Sequence, residues 1–296
     1  MYELIQVSEN CYYIQSPAKI GLIKLSESEV CLIDSGSDKD AGRKVRQHLD
    51  KNNWKLKAIY LTHSNADHIG GCKYLQAQTG CRIFAPGIEC AFTKYPVLEP
   101  SFLYGGYPTK ELRHKFLMAQ ESSAEELEKE HLPESIETIP LPGHFFDMVG
   151  YRTKDGIVYL ADCLSSKATL EKYRIGFIYD ISAYLDTLEK VKTMDAKLFI
   201  PAHAEPTEDI EELAQYNIDT VNEIAEQIIE FCAEGIQFEA LLKRLFDHYS
   251  LEMNFEQYVL VGSTVRSYLS WLKESGRISA AFVENQLIWK KSDLRM

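Results

Sequence analysis

Two histidines and an aspartate fall within six residues of the segment LTHSNADHIGG. His63, Asp67 and His68 follow the short apolar run KAIYLT, which is typical of a buried strand that ends in a loop. Imidazole nitrogens and a carboxylate that converge on one point suit a divalent metal such as zinc or iron. The two glycines that follow would let the next helix lie close to this site.

Three later residues have the same kind of position, at a strand end or the start of a loop. His144 follows a Pro-Gly turn in LPGHFF, Asp162 ends the apolar run IVYLAD, and His203 follows the apolar run LFIPA. A lone histidine at a strand end is usually structural. Four such histidines together with two aspartates favour a metal centre.

Taken in order, these residues resemble the signature of the metallo-β-lactamase superfamily, especially its glyoxalase II-like branch. The family pattern is H-x-H-x-D-H, a histidine after a Pro-Gly turn, an aspartate at a strand end and a late histidine. The matching residues here are His63, Asn65, Asp67, His68, His144, Asp162 and His203. The turn at 34–36 (Asp-Ser-Gly) is similar to the family's early Asp-Thr-Gly element. The resemblance runs from about residue 10 to residue 206 and implies an α/β fold, an αββα sandwich with its metal site at one edge.

The resemblance also implies a role for each residue. His63 and His144 would hold a metal at what we call the first position. Asp67, His68 and His203 would hold a metal at the second position, and Asp162 would bridge the two. Such cations lower the pKa of a shared water to about neutral, which makes a hydroxide nucleophile, and they polarise the oxygen under attack. Asp67 could orient that water or accept its proton, and Asp34 is expected to support the site rather than bind metal.

Asn65 departs from the family pattern, which has histidine at this place. An amide oxygen is neutral and a weaker zinc ligand than imidazole. Four outcomes follow: one metal at the second position, two metals with the first held weakly, a harder metal such as manganese or iron, or a degenerate site without catalysis. The intact remaining ligands argue against the last.

The expected function is therefore metal-dependent hydrolysis, with a metal-activated hydroxide, of a small ester, thioester, lactone, lactam or phosphoester. Zinc is the expected cofactor, as one or two ions. The alternatives are iron-dependent oxygen or sulfur chemistry on the same fold, and a catalytically weakened metal-binding protein with an interaction domain.

The chain order predicts two parts, a catalytic domain at 1–206 and a helical domain at 207–296. Short β-prone runs alternate with helices in the first part, which is typical of an α/β fold. An insertion at 93–132 begins with prolines, glycines and aromatics and ends in a charged run, SSAEELEKEH, that predicts a helix. We expect it to cover the metal cleft and set substrate choice. Candidate pocket residues are Tyr104, Tyr107, Lys167 and Tyr173.

The second part predicts three helices, at 208–234, 238–248 and 255–274, and then a hairpin that turns at Glu284-Asn285. That order favours a winged-helix-like domain. Residues 207–296 carry eight Lys/Arg against sixteen Asp/Glu, a net charge of −8, whereas a nucleic-acid reader should have a basic face. We expect no nucleic-acid partner, and instead a role in homodimerisation or in walling the cleft.

The composition of the whole chain also argues against nucleic-acid and membrane partners. The 296 residues carry a net charge of −12, which would be repelled by phosphate backbones. No run approaches 18 apolar residues, so no membrane partner is expected. The first residues lack the features of a signal peptide, and the seven cysteines form no C-x-x-C pair. The sequence predicts a cytoplasmic protein with reduced thiols and a small-molecule substrate.

Overall fold

Two β-sheets face each other between layers of helices. The computed structural model describes residues 2–292. The strands are β1 (Leu4–Gln6), β2 (Cys11–Ile14), β3 (Ile20–Lys24), β4 (Glu29–Ile33), β5 (Lys55–Tyr60), β6 (Arg82–Ala85), β7 (Ala124–Glu126), β8 (Ile136–Pro140), β9 (Val149–Thr153), β10 (Ile157–Ala161), β11 (Leu198–Pro201), β12 (Ile278–Val283) and β13 (Gln286–Lys291). The helices are α1 (Lys39–Lys51), α2 (Ala66–Ile69), α3 (Cys72–Thr79), α4 (Glu89–Lys94), α5 (Leu98–Tyr104), α6 (Lys167–Tyr173), α7 (Ile181–Lys192), α8 (Glu211–Phe231), α9 (Phe238–His248) and α10 (Phe255–Glu274). This arrangement confirms the expected αββα sandwich.

The first sheet has the strand order β1 to β7. Strands β1 to β4 form an antiparallel meander, whereas β4, β5, β6 and β7 run parallel. In the second sheet the order is β11-β10-β9-β8, and β10 pairs with β11 in parallel. Parallel strands end at the same edge of their sheet. The loops after β4 and β5 therefore meet at one edge of the first sheet, and the loops after β10 and β11 meet at one edge of the second sheet.

Strand β4 shows how the sandwich is filled. Val30 and Leu32 pack on the side of the first sheet that α1 and α3 cover. Cys31 and Ile33 point the other way, into the layer between the sheets, where they meet Tyr151 of the second sheet. Successive strand residues face opposite sides, so a strand buried on both faces has to be apolar throughout.

One helix prediction was wrong. The charged run in the insertion contains β7, which extends the first sheet by pairing with β6, and a 3₁₀ turn at Lys129–His131. Pairing with the open edge of β6 overrides the helix propensity of this run. The segment that carries His68 forms two short helices, α2 and α3, separated at Gly70 and Gly71.

Those glycines lie against the loop that follows β4. A Cβ on Gly70 would be 2.2 Å from the backbone carbon of Ser37, and one on Gly71 would be 2.3 Å from the Ser35 carbonyl oxygen. No larger residue fits, so the glycines allow the segment that carries His68 to approach the first sheet.

The C-terminal helices pack on the second sheet. One apolar cluster extends from Ile139 in β8 through α7 and α8 to Ile278 in β12. The hairpin β12–β13 turns at Glu284 and Asn285, with φ of 49° and 63°, as in the tight turns that match strand twist. The domain boundary at 206/207 stays a prediction.

No helix among residues 2–292 combines the length and apolar character needed to cross a bilayer. All seven cysteines lie within this range, and each is buried and free.

Candidate metal centre

A hydrogen-bonded chain at the ends of β4 and β5 orients His63 and His68. Asp34 accepts from Thr62 N and Thr62 Oγ1, both at 2.8 Å, and from Nδ1 of His68 at 2.8 Å. The Thr62 hydroxyl, having donated to Asp34, can accept from Nδ1 of His63 at 3.0 Å. Both Nδ1 atoms are thereby protonated, which leaves the Nε2 lone pairs free for a metal. Asp34 takes the supporting position that the sequence indicates.

The second sheet supplies the facing groups. His203 bonds the carbonyl of Pro17 through Nδ1 at 3.0 Å. Its Nε2 lies 3.1 Å from Asp162 Oδ2 and 3.2 Å from Asp67 Oδ2. Nε2 of His68 lies 3.1 Å from Asp162 Oδ1.

These atoms form two groups that share Asp162. Asp67, His68, Asp162 and His203 place their ligand atoms within 4.8 Å of one another, and so do His63, His144 and Asp162. The groups coincide with the second and first positions, and Asp162 lies where a bridging ligand would.

Asn65 lies beside the first position, with its amide held on both sides. Its Nδ2 donates to Oε1 of Glu99 at 2.8 Å, and its Oδ1 lies 3.0 Å from Nε2 of His144. Burial raises the pKa of Glu99 well above its usual value, and the protonated acid still accepts from Nδ2 of Asn65 through its carbonyl oxygen. This bond places the amide oxygen of Asn65 toward His144. The structure therefore brings all seven residues together; that they bind metal remains a prediction.

Three polar atoms test whether this site suits a cation. Nε2 of His63, Nε2 of His68 and Oδ1 of Asp162 are buried without a hydrogen-bond partner. Buried polar groups are rarely left unpaired. These three belong to convergent imidazole and carboxylate ligands, which is the donor set that zinc prefers. The residues fit a divalent metal.

The charges agree with this assignment. Burial, and then the neighbouring His68, lower the pKa of His63 well below its usual value, which keeps the imidazole neutral. Burial would raise the pKa of Asp162, but His203 and His68 outweigh it and hold that pKa well below its ordinary range. Burial opposes protonation of His203, yet Asp162 and Asp67 raise its pKa to about 10. The carboxylates thus attract positive charge to this point.

The insertion forms one wall of the site. Phe92 and Phe102 pack against Phe145, at ring-centroid distances of 5.3 and 6.3 Å, and Phe145 lies 6.3 Å from the ring of His63. Glu89, fully buried at the start of α4, accepts from the backbone N of Ser64 at 3.0 Å and of Asp147 at 2.9 Å. Glu89 thus ties the start of α4, just before the insertion at 93–132, to the loops that carry His63 and His144. That the insertion covers the cleft stays a prediction.

A cavity of about 400 Å³ reaches the ligands from the other side, and His144, Asp162 and His203 line one end of it. Tyr173 lines this cavity too. The other candidate pocket residues lie elsewhere: Tyr104 lines a different surface cleft, Tyr107 is 76% exposed, and Lys167 pairs with Glu212 on the surface.

Sequence reasoning missed Thr62, Glu89 and Glu99. Thr62 stands directly before His63, so a hydroxyl beside the motif was a signal. The two glutamates gave none, because on short helices they look like solvated residues.

Comparisons with known proteins add to this geometry. The sequence model of the Metallo-beta-lactamase superfamily matches residues 7–203. The chain is 24% identical over 264 residues to the beta-lactamase-like protein 2 homolog of Drosophila melanogaster, which covers 86% of this chain and 81% of that protein. It is 28% identical over 214 residues to hydroxyacylglutathione hydrolase 1 of Vibrio vulnificus, with 72% of each covered.

Two solved structures share the fold. A beta-lactamase domain protein from Burkholderia ambifaria matches with a TM-score of 0.71 at 14% identity, over 98% of this chain and 94% of that one. A metallo-beta-lactamase family protein from Thermus thermophilus also gives 0.71, at 16% identity, over 95% and 98%. Both matches extend beyond residue 203 into the C-terminal helices.

Proposed function

This chain belongs to the metallo-beta-lactamase superfamily of metal-dependent hydrolases, and we propose that it cleaves a small ester or thioester. The hydroxyacylglutathione hydrolases among its relatives support this class, since acylated glutathione is a thioester. The observation that carries the proposal is the convergence of His63, His68 and Asp162, whose buried ligand atoms have no partner within the protein.

We propose zinc as the metal, held at the second position by Asp67, His68, His203 and Asp162, and at the first by His63, His144, Asp162 and the oxygen of Asn65. Bound there, such ions lower the pKa of water and polarise a carbonyl oxygen. The structure supports unequal positions, because the first has an amide in place of an imidazole.

Residues of the protein would position the water and the histidine ligands and would exclude other water from the site. Asp67 is proposed to orient the attacking water, because its side chain is 35% exposed and its Oδ2 lies 3.2 Å from Nε2 of His203. Burial would raise the pKa of Asp67, but His68 and His203 hold it below its usual value, so the group stays a carboxylate. Asp34 and Thr62 hold the histidine tautomers. Phe145 beside His63, and Phe177 with its ring 5.5 Å from that of His144, exclude water from one side of the reacting carbonyl.

We further propose that residues 207–296 wall the cleft rather than bind nucleic acid. Val221 and Ile224 of α8 and Tyr268 of α10 line the cavity that reaches the candidate ligands. A homodimer stays a prediction, and gel filtration with light scattering tests it.

Elemental analysis of the purified protein and a substrate panel test the function. The expected result is zinc, hydrolysis of ester and thioester substrates, loss of activity with chelator and recovery with zinc. A metal-loaded protein that cleaves only lactams, lactones or phosphodiesters would overturn the substrate class. Bound iron with oxygen consumption would favour the alternative chemistry.

A further inference from the structure

The cavity beside the candidate ligands has a largely apolar wall. Leu164 follows Asp162 along the chain, and Ile178, Val221, Ile224 and Tyr268 complete the wall opposite the sheet. These five side chains are between 0 and 7% exposed. On this side the space extends from the candidate ligands into the helical layer.

Three polar side chains of this wall, Asn217, Thr220 and Tyr268, are already hydrogen-bonded within the protein. Asn217 accepts from Ser165 N at 2.9 Å and donates to the carbonyls of Ser165 and Leu213 at 2.9 and 2.8 Å. Thr220 donates to Tyr216 O at 2.8 Å, and the Tyr268 hydroxyl donates to Val221 O at 3.3 Å. A polar ligand would have to break these bonds, whereas an apolar one would leave them intact.

Arg174 is the charged residue of the wall outside the candidate ligand set. Its guanidinium pairs with Glu223 of α8 and lies over the ring of Tyr249, with 5.4 Å from Cζ to the ring centroid. Its charge is engaged by Glu223, and its Nε is buried without a hydrogen-bond partner, so the wall has one spare donor but no free charge for an anion.

From these features we infer that the cavity binds an aliphatic chain of the substrate. Its volume lies within the range of small-molecule pockets, and its end at His144, Asp162 and His203 would place the scissile carbonyl of that chain at the metals. The inference rests on the proposed ester or thioester hydrolysis and names its substrate class: an acyl ester or thioester with a medium-length alkyl chain. The chain could belong to the acyl group or to the leaving group.

Two series of substrates distinguish an alkyl chain in the acyl group from one in the leaving group. One series varies the acyl group from acetyl to decanoyl on a constant thiol, and the other varies the alkyl alcohol of an acetate ester. In one series kcat/KM should rise by about fourfold per methylene, which corresponds to ~0.8 kcal/mol per buried CH₂, and then level off when the cavity is full. A flat response in both series, with acetyl substrates still cleaved, would overturn the aliphatic-chain inference and leave the hydrolase intact.

Substitutions at Val221 test whether the dependence of kcat/KM on chain length arises in this cavity. Val221→Phe should shift the plateau to shorter chains and Val221→Ala to longer ones. Opposite shifts cannot come from loss of stability alone. Val191→Ala is the matched control, because Val191 belongs to the same apolar cluster but does not line the cavity. Equal plateaus in all variants would overturn the inference.

Binding to the metal-free protein separates this inference from the proposed function. Calorimetry with octan-1-ol should show saturable binding with a negative heat-capacity change, weakened at least about tenfold by Val221→Phe. This result supports the cavity even if no thioester is cleaved, in which case the proposed function fails alone. Absence of saturable binding would overturn the cavity inference.

Discussion

The two candidate metal positions share Asp162 but differ in how they are built. At the second position, His68 is fixed by Asp34, which also bonds the backbone and hydroxyl of Thr62 at the ends of two central strands. At the first position, Asn65 is fixed by Glu99, which comes from the insertion. The second position is thus supported from within the sheet, whereas the first has two kinds of support: Thr62 holds its His63 and the insertion holds its Asn65.

The two positions thus differ both in the type of ligand and in the residues that hold the ligands in place. The second position has charged ligands supported by the sheet, so it should hold its metal firmly. The first position has an amide supported by a helix of the insertion, so it should hold its metal less firmly and depend on that helix. Metal affinity at the second position should therefore respond directly to Asp34, and metal affinity at the first position alone should respond to Glu99.

The largest effect is expected from His68→Ala, which removes a ligand of the second position. Metal content and activity should fall together, activity by more than about 100-fold, beyond the 10–100-fold typical of lost supporting residues. Mass spectrometry of the native protein and initial rates measure both. His248→Ala, on an exposed part of α9, is the control. Full activity in His68→Ala would remove the second position from the mechanism.

Asp34→Asn should weaken the second position by about 10–100-fold. Asparagine tolerates the φ of 63° at this residue, so the backbone is preserved. Its amide NH₂, however, would face Nδ1 of His68 and force the proton onto Nε2, where the metal should bind. Competition with a zinc chelator measures the loss, and an unchanged affinity would contradict the supporting role.

Asn65→His should tighten the first position, because it supplies an imidazole whose other nitrogen can donate to Glu99. We expect the native protein to retain clearly less than two metal equivalents after dialysis against a weak chelator, and the variant to retain two. If the native protein holds two equally firmly, then Asn65 is an adequate ligand or the metal is a harder one.

The sequence predicts more of the second position than of the first. His68, Asp162 and His203 each follow an apolar strand, so local pattern and the family resemblance predict the second position and the αββα fold together. The pairing of Asn65 with Glu99 joins residues 34 apart through the packing of the insertion. No local pattern indicates that contact.

The same reason explains the wrong helix at β7. Helix propensity depends on neighbours along the chain, but the choice at 124–126 depends on the open edge of β6. Glu89 and Glu99 likewise bond residues far along the chain, Asp147 and Asn65, and these contacts exist only in the folded protein.

A smaller effect is expected from Glu99→Leu, which removes the acceptor for Asn65. The amide could then turn its NH₂ toward His144, so the first position should weaken by about tenfold while the second is unchanged. Glu99→Gln retains an acceptor oxygen and is the matched control. Chelator titration of both variants resolves the two positions. Equal losses at both positions would show that Glu99 acts on the whole fold and not through Asn65.

Glu89→Gln should have the smallest effect on metal binding, because Glu89 contacts Ser64 and Asp147 rather than a candidate ligand. Its effect should appear in stability. Burial raises the pKa of Glu89 from 4.5 to about 7, against the opposing hydrogen bonds from Ser64 and Asp147. A pKa raised by folding contributes stability that is present below pH 4.5 and is lost as pH rises to about 7.

The native protein should therefore lose about 3 kcal/mol through Glu89 between these values, an order-of-magnitude figure at 1.36 kcal/mol per pKa unit. The glutamine does not titrate, so the stability difference between native and variant should change with pH. Urea unfolding of the chelator-treated proteins at about pH 5 and about pH 8 measures it. A difference that is equal at both pH values would mean that Glu89 is ionised throughout. Helix α4 would then be held by a charge on the loops that flank the first position, a stronger support than the comparison assigns to this side of the site.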